Sequence, residues 1–184
     1  MANNYVFNDS LPVAPLKIAA LESCQELASK VNDHIVQFRR NDMEELMRRK
    51  EDLHYRGYDV DSYLLPCSCP RFGTGEGKAV IGESVRGTDV FVMVDVMNYS
   101  IPYMVSGYTN HMSPDDHFQD LKRVIGACVS TAHRVNVIMP FLYESRQHKR
   151  SKRESLDCAM GLEELAAMGV ENIITFDAHD PRVQ

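Results

Sequence analysis

Residues 135–139 have the sequence Val-Asn-Val-Ile-Met, and residues 172–176 have the sequence Asn-Ile-Ile-Thr-Phe. A helical pattern over residues 155–168, closed by Gly169, separates these two apolar runs. A strand, a helix and a strand of these lengths predict a βαβ unit with two parallel strands. Parallel strands have their carboxyl ends at one edge of the sheet, where open α/β sheets bind ligands. The segments that follow the two strands should therefore emerge side by side.

An upstream segment has the same organisation. Residues 89–95 form a near-continuous apolar run, which is typical of a strand covered on both faces. Ser113, followed by Pro114 and Asp116, predicts the start of a helix. The side chains expected on its buried side are Phe118, Leu121, Val124, Ile125 and Val129. The fold class predicted is α/β, with a parallel twisted sheet and helices on both faces.

The amino-terminal half is predicted to begin the same sheet. Residues 1–15 form a polar lead, and residues 16–20 are expected to form a short buried strand. Ser23 and Glu26 have capping-box spacing for the next helix. Its expected apolar stripe is Leu27, Val31, Ile35 and Phe38. Residues 42–55 mix both charge signs and predict a solvated helix, so residues 41–61 are interpreted as a charged insertion in one domain of residues 16–184.

Composition excludes several classes of protein. The 184 residues are 44% hydrophobic and carry a net charge of −6, which argues against a general nucleic-acid binder. No apolar run approaches the roughly 20 residues that cross a bilayer, so a soluble cytoplasmic protein is expected. The five cysteines are odd in number and scattered, which favours reduced, mostly buried thiols.

The predicted sheet edge has an unusual charge distribution. Five cations lie within the eight residues 146–153, in the segment after the first strand. A cluster of acidic residues and a histidine follows residue 176, after the second strand. Cations suit phosphate oxygens, and a histidine with carboxylates suits a divalent metal that carries the same phosphates. The alternative is a surface charge run beside a capping aspartate. The residues concerned are Arg146, Lys149, Arg150, Lys152 and Arg153, with Asp177, His179 and Asp180 opposite.

Two further segments are weaker candidates. Residues 71–77 contain three glycines but match no nucleotide-loop template, and an ordinary turn between strands is the simpler interpretation. His111, Asp115, Asp116 and His117 have the side chains of a metal site. Acidic residues in a first helical turn are already explained by the helix dipole.

Three segments of the chain resemble one known family. Residues 140–149, Pro-Phe-Leu-Tyr-Glu-Ser-Arg-Gln-His-Lys, resemble the Pro-Tyr-x-x-Tyr-Ala-Arg-Gln-Asp-Lys segment of ribose-phosphate pyrophosphokinases, or PRPP synthetases. Residues 173–179 are similar to that family's Ile-Thr-Met-Asp-Leu-His, and residues 83–87 match its Glu-Ser-Val-Arg-Gly. The early strand and helix fit as well. The resemblance is to the N-terminal half of the family's architecture, which is phosphoribosyltransferase-like.

The resemblance implies a reaction and a set of site residues. Members transfer the diphosphate of Mg-ATP to the C1 hydroxyl of ribose 5-phosphate, giving PRPP and AMP for nucleotide biosynthesis. They assemble as dimers and commonly as hexamers, so a homo-oligomer is expected. In the family, the loop equivalent to residues 71–77 reaches into a neighbouring subunit's ATP site. The implied ATP-binding residues are Phe72, Thr74, Glu76, Arg146 and Gln147, with His179 on Mg²⁺ and Ser84 and Arg86 at a regulatory phosphate or ADP site.

The chain also departs from the family pattern. Thr74 stands where many relatives carry Asp or Asn, and His148 replaces the usual Asp. The second domain, which supplies the catalytic loop and grips ribose 5-phosphate, is expected to be missing, so no catalytic residue is assigned to this chain and it should be inactive alone. The chain is then a fragment or a shortened relative. The alternatives are a non-catalytic regulatory or binding relative and a metal-dependent phosphate-ester hydrolase.

Overall fold

The computed structural model describes residues 12–49, 55–180 and 183. A four-stranded parallel sheet forms the centre of the molecule. In their order across the sheet, its strands are β1 (Leu16–Ala20), β4 (Asp89–Met93), β7 (Arg134–Ile138) and β8 (Val170–Ile174). The predicted parallel α/β sheet is therefore confirmed.

Two small antiparallel hairpins and three helices complete the described fold. One hairpin pairs β2 (Cys67–Ser68) with β3 (Val80–Ile81), and the other pairs β5 (Pro102–Val105) with β6 (Tyr108–His111). The helices are α1 (Gln25–Arg49), α2 (Pro114–Cys128) and α3 (Asp157–Ala167).

Helices cover both faces of the sheet. The larger core packs α2 and α3 against one face, through fully buried side chains such as Leu121, Val92 and Val137. On the other face, α1 packs over β1 and β4 around Ile18 and Met93. The interior is apolar on both sides of β4, which explains the continuous apolar run of that strand.

The start of α2 agrees with the sequence pattern. Ser113 accepts a hydrogen bond from the Asp116 backbone N–H, and the Asp116 carboxylate accepts one from the Ser113 backbone N–H, with Pro114 at the first helical position. The capping box is thus confirmed. Val129 was wrongly assigned to the buried side, because it lies just past the helix end and is 36% exposed.

The start and the phase of α1 differ from expectation. Ser23 does not cap the helix, because its hydroxyl accepts a hydrogen bond from the Asp95 backbone N–H at 3.1 Å. The buried residues of α1 are Ala28, Asn32 and Val36, one position away from the predicted stripe. A long-range contact is found on this buried side of α1. The Asn32 side chain accepts a hydrogen bond from the Tyr63 backbone N–H at 2.8 Å.

Two members of the predicted stripe are largely exposed, Leu27 at 38% and Phe38 at 45%. The charged stretch after residue 41 does not begin a new helix, because α1 continues without a break to Arg49. In this charged part of α1, Glu44 pairs with Arg48 and Glu45 pairs with Arg49, each one helical turn apart. Residues 50–54 and most of the polar lead lie outside the described residues.

The boundaries of the last βαβ unit also shift. Helix α3 begins two residues after the predicted start, and β8 begins at Val170, directly after Gly169. Gly169 has φ +92°, the left-handed conformation that lets the chain leave the helix and enter the strand at once. The apolar pattern predicted the strand two residues too late because that turn uses no further residues.

Among the described helices, none is long and apolar enough to span a membrane. The cysteines are free thiols, as predicted, and Cys24, Cys128 and Cys158 are buried.

Candidate functional site at the carboxyl edge of the sheet

The loops that follow β7 and β8 lie side by side at the carboxyl edge of the sheet. The Leu142 backbone N–H donates to the Asp177 carbonyl oxygen at 3.0 Å, and the Asp177 backbone N–H donates to the Pro140 carbonyl oxygen at 2.9 Å. Phe141 and Asp177 form an isolated parallel bridge that extends the β7–β8 pairing beyond the strands. The predicted adjacency of the two segments is confirmed.

Ser145 joins these two loops from a fully buried position. Its hydroxyl accepts a hydrogen bond from the His179 backbone N–H at 3.3 Å, and its carbonyl oxygen lies 3.2 Å from His148 Nδ1. Sequence reasoning missed Ser145. The available signal was that the family segment quoted above carries alanine at this position, so the Ser145 hydroxyl is a departure from that segment.

His148 points from the first loop towards Asp180 in the second. The Nε2 atom lies 3.3 Å from an Asp180 carboxylate oxygen, with the two side chains 9% and 18% exposed. The contact is close but is not aligned as a hydrogen bond, and Nε2 is the buried side-chain polar atom of the described chain that has no hydrogen-bond partner. His179 is exposed, and its ring centroid lies 6.2 Å from that of His148.

Arg146 is exposed at the mouth of a cavity of about 160 Å³. Within the described ranges it forms no ion pair, so its guanidinium is available to an anion. The other side chains at this cavity come from the loop after β4, the start of α2 and the loop after β7. They are Val96, Met97, Tyr99, Pro114, Phe141, Tyr143, Glu144 and Ser145.

Gln147 closes the basic loop, residues 141–153, rather than standing open to solvent. Its side-chain amide donates to the Ser155 carbonyl oxygen at 2.8 Å, and its backbone N–H donates to the Glu144 carbonyl oxygen at 2.8 Å. A ligand contact would therefore use the remaining amide oxygen or would displace the bond to Ser155.

The remaining cations of the basic loop are exposed. None of them forms an ion pair with another of the described residues. Five cations without ion-pair partners among the described residues therefore gather in this one loop of a protein of net charge −6. In addition to Arg146, the cations are Lys149, Arg150, Lys152 and Arg153.

Acidic and phenolic groups lie on the inner side of the same cavity. The Tyr143 hydroxyl donates to Asp115 at 2.6 Å, and its ring stacks on Phe118 with centroids 4.1 Å apart. Burial, followed by the hydrogen bond to Asp115, raises the pKa of Tyr143 well above its usual value. Burial also raises the pKa of Glu144, with smaller contributions from the charges of Asp115 and Asp157.

The four side chains of the other candidate metal site, His111, Asp115, Asp116 and His117, do not converge on a common point. Asp116 caps α2, and Asp115 accepts the tyrosine hydroxyl described above. His117 is buried with Nε2 2.6 Å from the Asn98 carbonyl oxygen, and His111 contacts the Tyr99 carbonyl oxygen. Across residues 12–49, 55–180 and 183, no three His, Cys, Asp or Glu side chains converge on one point that could hold a metal. The interpretation by the helix dipole and the cap is sufficient here.

The glycine loop, residues 71–77, forms a tight turn elsewhere on the molecule. The Phe72 backbone N–H donates to the Glu76 carbonyl oxygen at 2.7 Å, and the Thr74 hydroxyl donates to the Glu76 carboxylate at 2.9 Å. Phe72 is 53% exposed. Ser106 at the tip of the β5–β6 hairpin donates its backbone N–H to the Gly73 carbonyl oxygen at 3.0 Å, so the hairpin supports the loop.

Buried charges anchor the base of this loop. Arg71 makes a bidentate pair with Asp120 of α2, and Arg123 donates to the same carboxylate at 2.6 Å. A Cβ at Gly77 would lie 2.9 Å from an Arg123 nitrogen and nearer still to one of Arg71, so a larger residue here would displace these guanidinium groups. No described contact joins the glycine loop to Arg146.

Ser84 and Arg86 line a cavity of about 410 Å³ near the amino ends of β1 and β4. Lys17 and Arg56 also line it, and Lys17 pairs with Glu83 at 2.7 Å. Neither Arg56 nor Arg86 has an ion pair with any described residue. The cavity is thus a second cationic site, at the opposite end of the sheet from Arg146.

Known proteins match this chain over most of its length. Residues 16–169 match the model of the N-terminal domain of ribose phosphate pyrophosphokinase. A ribose-phosphate pyrophosphokinase of Staphylococcus saprophyticus is 25% identical over 97% of this chain and 44% of its own length. That of Bacillus caldolyticus is 30% identical over 66% of this chain and 35% of its own length.

The fold is similar to a solved structure as well. Phosphoribosylpyrophosphate synthetase from Mycobacterium smegmatis matches with a TM-score of 0.66 and 21% identity, over 92% of this chain and 45% of that one. The chain spans less than half the length of these relatives. The matched residues include β1, β4, β7, the helices α1, α2 and α3, and the basic loop, whereas β8 follows them. By this match, the chain belongs to the ribose-phosphate pyrophosphokinase family through that family's N-terminal domain.

Proposed function

We propose that this chain is the ATP-binding half of a ribose-phosphate diphosphokinase, which transfers diphosphate from Mg-ATP to the C1 hydroxyl of ribose 5-phosphate. The observation that carries the proposal is the basic loop, whose cations have no ion-pair partners among the described residues. It lies against residues 177–180 at the carboxyl edge of the sheet. This is the place where open α/β sheets bind nucleotides.

Arg146 is the residue assigned to ATP with most support. Its guanidinium is exposed at a cavity between the loops after β4 and β7, and guanidinium groups bind phosphate oxygens with two parallel hydrogen bonds. Gln147 is assigned to the nucleotide through its amide oxygen, because its nitrogen is bonded to Ser155. Phosphoryl transfer depends on positioning and charge neutralisation, which these groups supply without covalent chemistry.

The donor set beside the basic loop fits a magnesium ion. Asp177 and His179 are exposed, and Asp180 is next to them in the chain. Mg²⁺ in nucleotide sites takes one or two protein carboxylates and completes its coordination with water and substrate phosphates. We assign His179 to the metal. A bound magnesium ion would neutralise the charge of the β- and γ-phosphates.

Two parts of the proposed reaction site are assigned to other regions: the ribose 5-phosphate site, and the ATP site that the glycine loop serves. Ribose 5-phosphate is expected to bind the part of the relatives that this chain does not match, so the 184 residues should not make PRPP alone. Phe72, Thr74 and Glu76 are proposed to serve the ATP site of a neighbouring subunit in a homo-oligomer. The exposed ring of Phe72 and the absence of described contacts to Arg146 within one chain support that arrangement. The proposed compartment is the cytoplasm.

A Mg-ATP titration of the purified chain tests the nucleotide assignment. Arg146→Ala should raise the dissociation constant about tenfold or more, because a charge-assisted contact contributes roughly 1.5–3 kcal/mol. Arg48→Ala is the matched control, since Arg48 is exposed on α1, remote from the basic loop. Equal affinity in the Arg146 variant and the wild type would contradict the assignment.

Activity is tested separately by the release of AMP from ATP. No release that depends on ribose 5-phosphate is expected from the 184-residue chain. Its detection would show that the chain itself holds a complete ribose-phosphate site.

We also propose that Ser84 and Arg86 bind a regulatory phosphate or ADP. The support is the cavity at the amino edge of the sheet, where Arg56 and Arg86 lack ion-pair partners among the described residues. Arg86→Ala should weaken phosphate binding without altering the affinity for Mg-ATP at the other edge. A loss of both affinities together would indicate a general defect of the fold instead.

One observation supports the alternative of a non-catalytic regulatory relative. The Gln147 amide nitrogen is committed to closing its own loop, and Thr74 is bonded to Glu76, so both side chains have structural partners. Such a relative would bind and modulate a full-length enzyme. A change in the activity of a full-length relative on addition of this chain, with no activity of the chain itself, would favour this alternative.

A further inference from the structure

We propose that His148 Nε2 and the Asp180 carboxylate bind a divalent transition-metal ion of the Mn²⁺ or Zn²⁺ type. His148 occupies the position where the family segment has aspartate, so the imidazole belongs to this chain's departures from the pattern. The two residues come from different loops and meet where β7 and β8 end. The inference goes beyond the proposed nucleotide site, because it does not require ATP.

The orientation of the His148 ring favours a metal ligand. Its Nδ1 lies 3.2 Å from the Ser145 carbonyl oxygen, which accepts hydrogen bonds and cannot donate one. Nδ1 therefore donates to this oxygen, and the other ring nitrogen, Nε2, faces the Asp180 carboxylate. Metal-bound histidines are held in the same way, with the second ring nitrogen donating to a carbonyl or carboxylate.

His148 Nε2 is buried, but no hydrogen bond compensates for its removal from water. The side chain is 9% exposed, and Nε2 has no hydrogen-bond partner. A buried nitrogen without a partner costs about 1–3 kcal/mol, and a bound ion is one of the ways in which native folds satisfy such an atom. The nearest acidic group is the Asp180 carboxylate, which lies 3.3 Å away and comes from the other loop.

The distance between the two donors fits a shared ion. Zinc-type ions bind histidine nitrogen and carboxylate oxygen at about 2.0–2.2 Å, which places two tetrahedral ligands about 3.3–3.4 Å apart. The observed separation of Nε2 and the carboxylate oxygen is 3.3 Å. It is long for an aligned hydrogen bond between charged groups, which would be about 2.7–2.9 Å.

The chain supplies two ligands to this site as it stands, because no third His, Cys, Asp or Glu of the described ranges converges on the same point. Water or phosphate oxygens would complete the coordination. Imidazole favours transition metals over Mg²⁺, so the replacement of aspartate by His148 should shift the metal preference of this edge.

Mn²⁺ binding in the absence of nucleotide tests the proposal. Electron paramagnetic resonance counts free Mn²⁺, and this ion prefers oxygen and nitrogen ligands, so the five thiols do not compete strongly. The wild type should bind Mn²⁺, and His148→Gln should raise the dissociation constant at least about tenfold. His34→Gln, on the exposed side of α1, is the matched control and should bind as the wild type does.

Asp180→Asn is a second variant that preserves the shape of the side chain. It should weaken Mn²⁺ binding to a similar extent while its circular dichroism and thermal unfolding show a folded protein. The proposal is overturned if the wild type binds no Mn²⁺ at millimolar concentration, or if His148→Gln binds it as tightly as the wild type. The latter result would indicate that His148 is a protonated partner of Asp180.

The nucleotide assignment fails on other evidence. Normal ATP affinity of the Arg146 variant would overturn the nucleotide site and leave the Mn²⁺ result unchanged. Loss of the metal site with intact Arg146-dependent ATP affinity would overturn only the metal inference.

Discussion

The glycine loop and the basic loop both carry arginines, but the two loops use them differently. Under the glycine loop, Arg71 and Arg123 converge on the Asp120 carboxylate, and the side chains of Arg71 and Asp120 are 8% and 5% exposed. In the basic loop, Arg146 and its neighbouring cations are exposed and have no ion-pair partner in the described part of the chain. A buried arginine with a carboxylate holds the scaffold, whereas an exposed one without a partner is available to a ligand.

This contrast makes the loss of Asp120 the largest expected effect on stability. Asp120→Ala leaves the buried Arg71 without its counter-charge, and breaking a buried ion pair in this way costs about 3–5 kcal/mol. The free energy of unfolding, measured by urea denaturation, should fall by that amount. Asp61→Ala is the matched control, because its pair with Arg40 is exposed and should contribute about 1 kcal/mol or less. Similar losses in both variants would remove the distinction between the two loops.

A smaller effect is expected where the basic loop meets the loop after β8. Ser145→Ala removes the hydroxyl that accepts the His179 backbone N–H, and one such bond contributes about 1 kcal/mol. The exchange of the His179 amide hydrogen should become faster, while amides in the glycine loop keep their rates. Unchanged exchange at His179 would show that Ser145 does not tie the two loops together.

The smallest effect concerns the pH dependence of stability. Burial raises the pKa of Glu144 above its usual 4.5, so the folded state prefers the protonated carboxyl. The unfolded state then releases its proton first, and the stability present below pH 4.5 is lost as the pH rises through the folded pKa. Glu144→Gln should flatten this part of the curve of unfolding free energy against pH. Glu163→Gln, exposed on α3, should leave it unchanged, and equal curves for all three proteins would contradict the assignment.

Much of the carboxyl edge was predictable because its elements follow one another in the chain. Two apolar runs separated by a helix imply parallel strands, and parallel strands bring the segments after them to one edge. The cations of the basic loop and His179 could therefore be assigned to a common edge. The capping box at Ser113 was equally local, since its partners lie three residues apart.

Predictions failed where a contact with a residue distant in sequence determines the local structure. The phase of α1 follows the contact between Asn32 and the Tyr63 backbone, and Ser23 bonds to Asp95 instead of capping the helix. Neither partner is local in sequence, so apolar periodicity gave the wrong stripe. The boundaries of β8 shifted because the left-handed turn at Gly169 leads from helix to strand without an intervening loop.

The sequence by itself determined the family, the parallel order of the main strands and the edge at which cations gather. These features depend on local spacing and on the direction of the chain. The tertiary structure decided which charges are paired, that Ser145 joins two loops, and that His148 faces Asp180. These contacts join residues far apart in sequence, and burial removes competing water from them. For that reason the availability of Arg146 and the missing hydrogen bond of His148 Nε2 became visible only in the folded molecule.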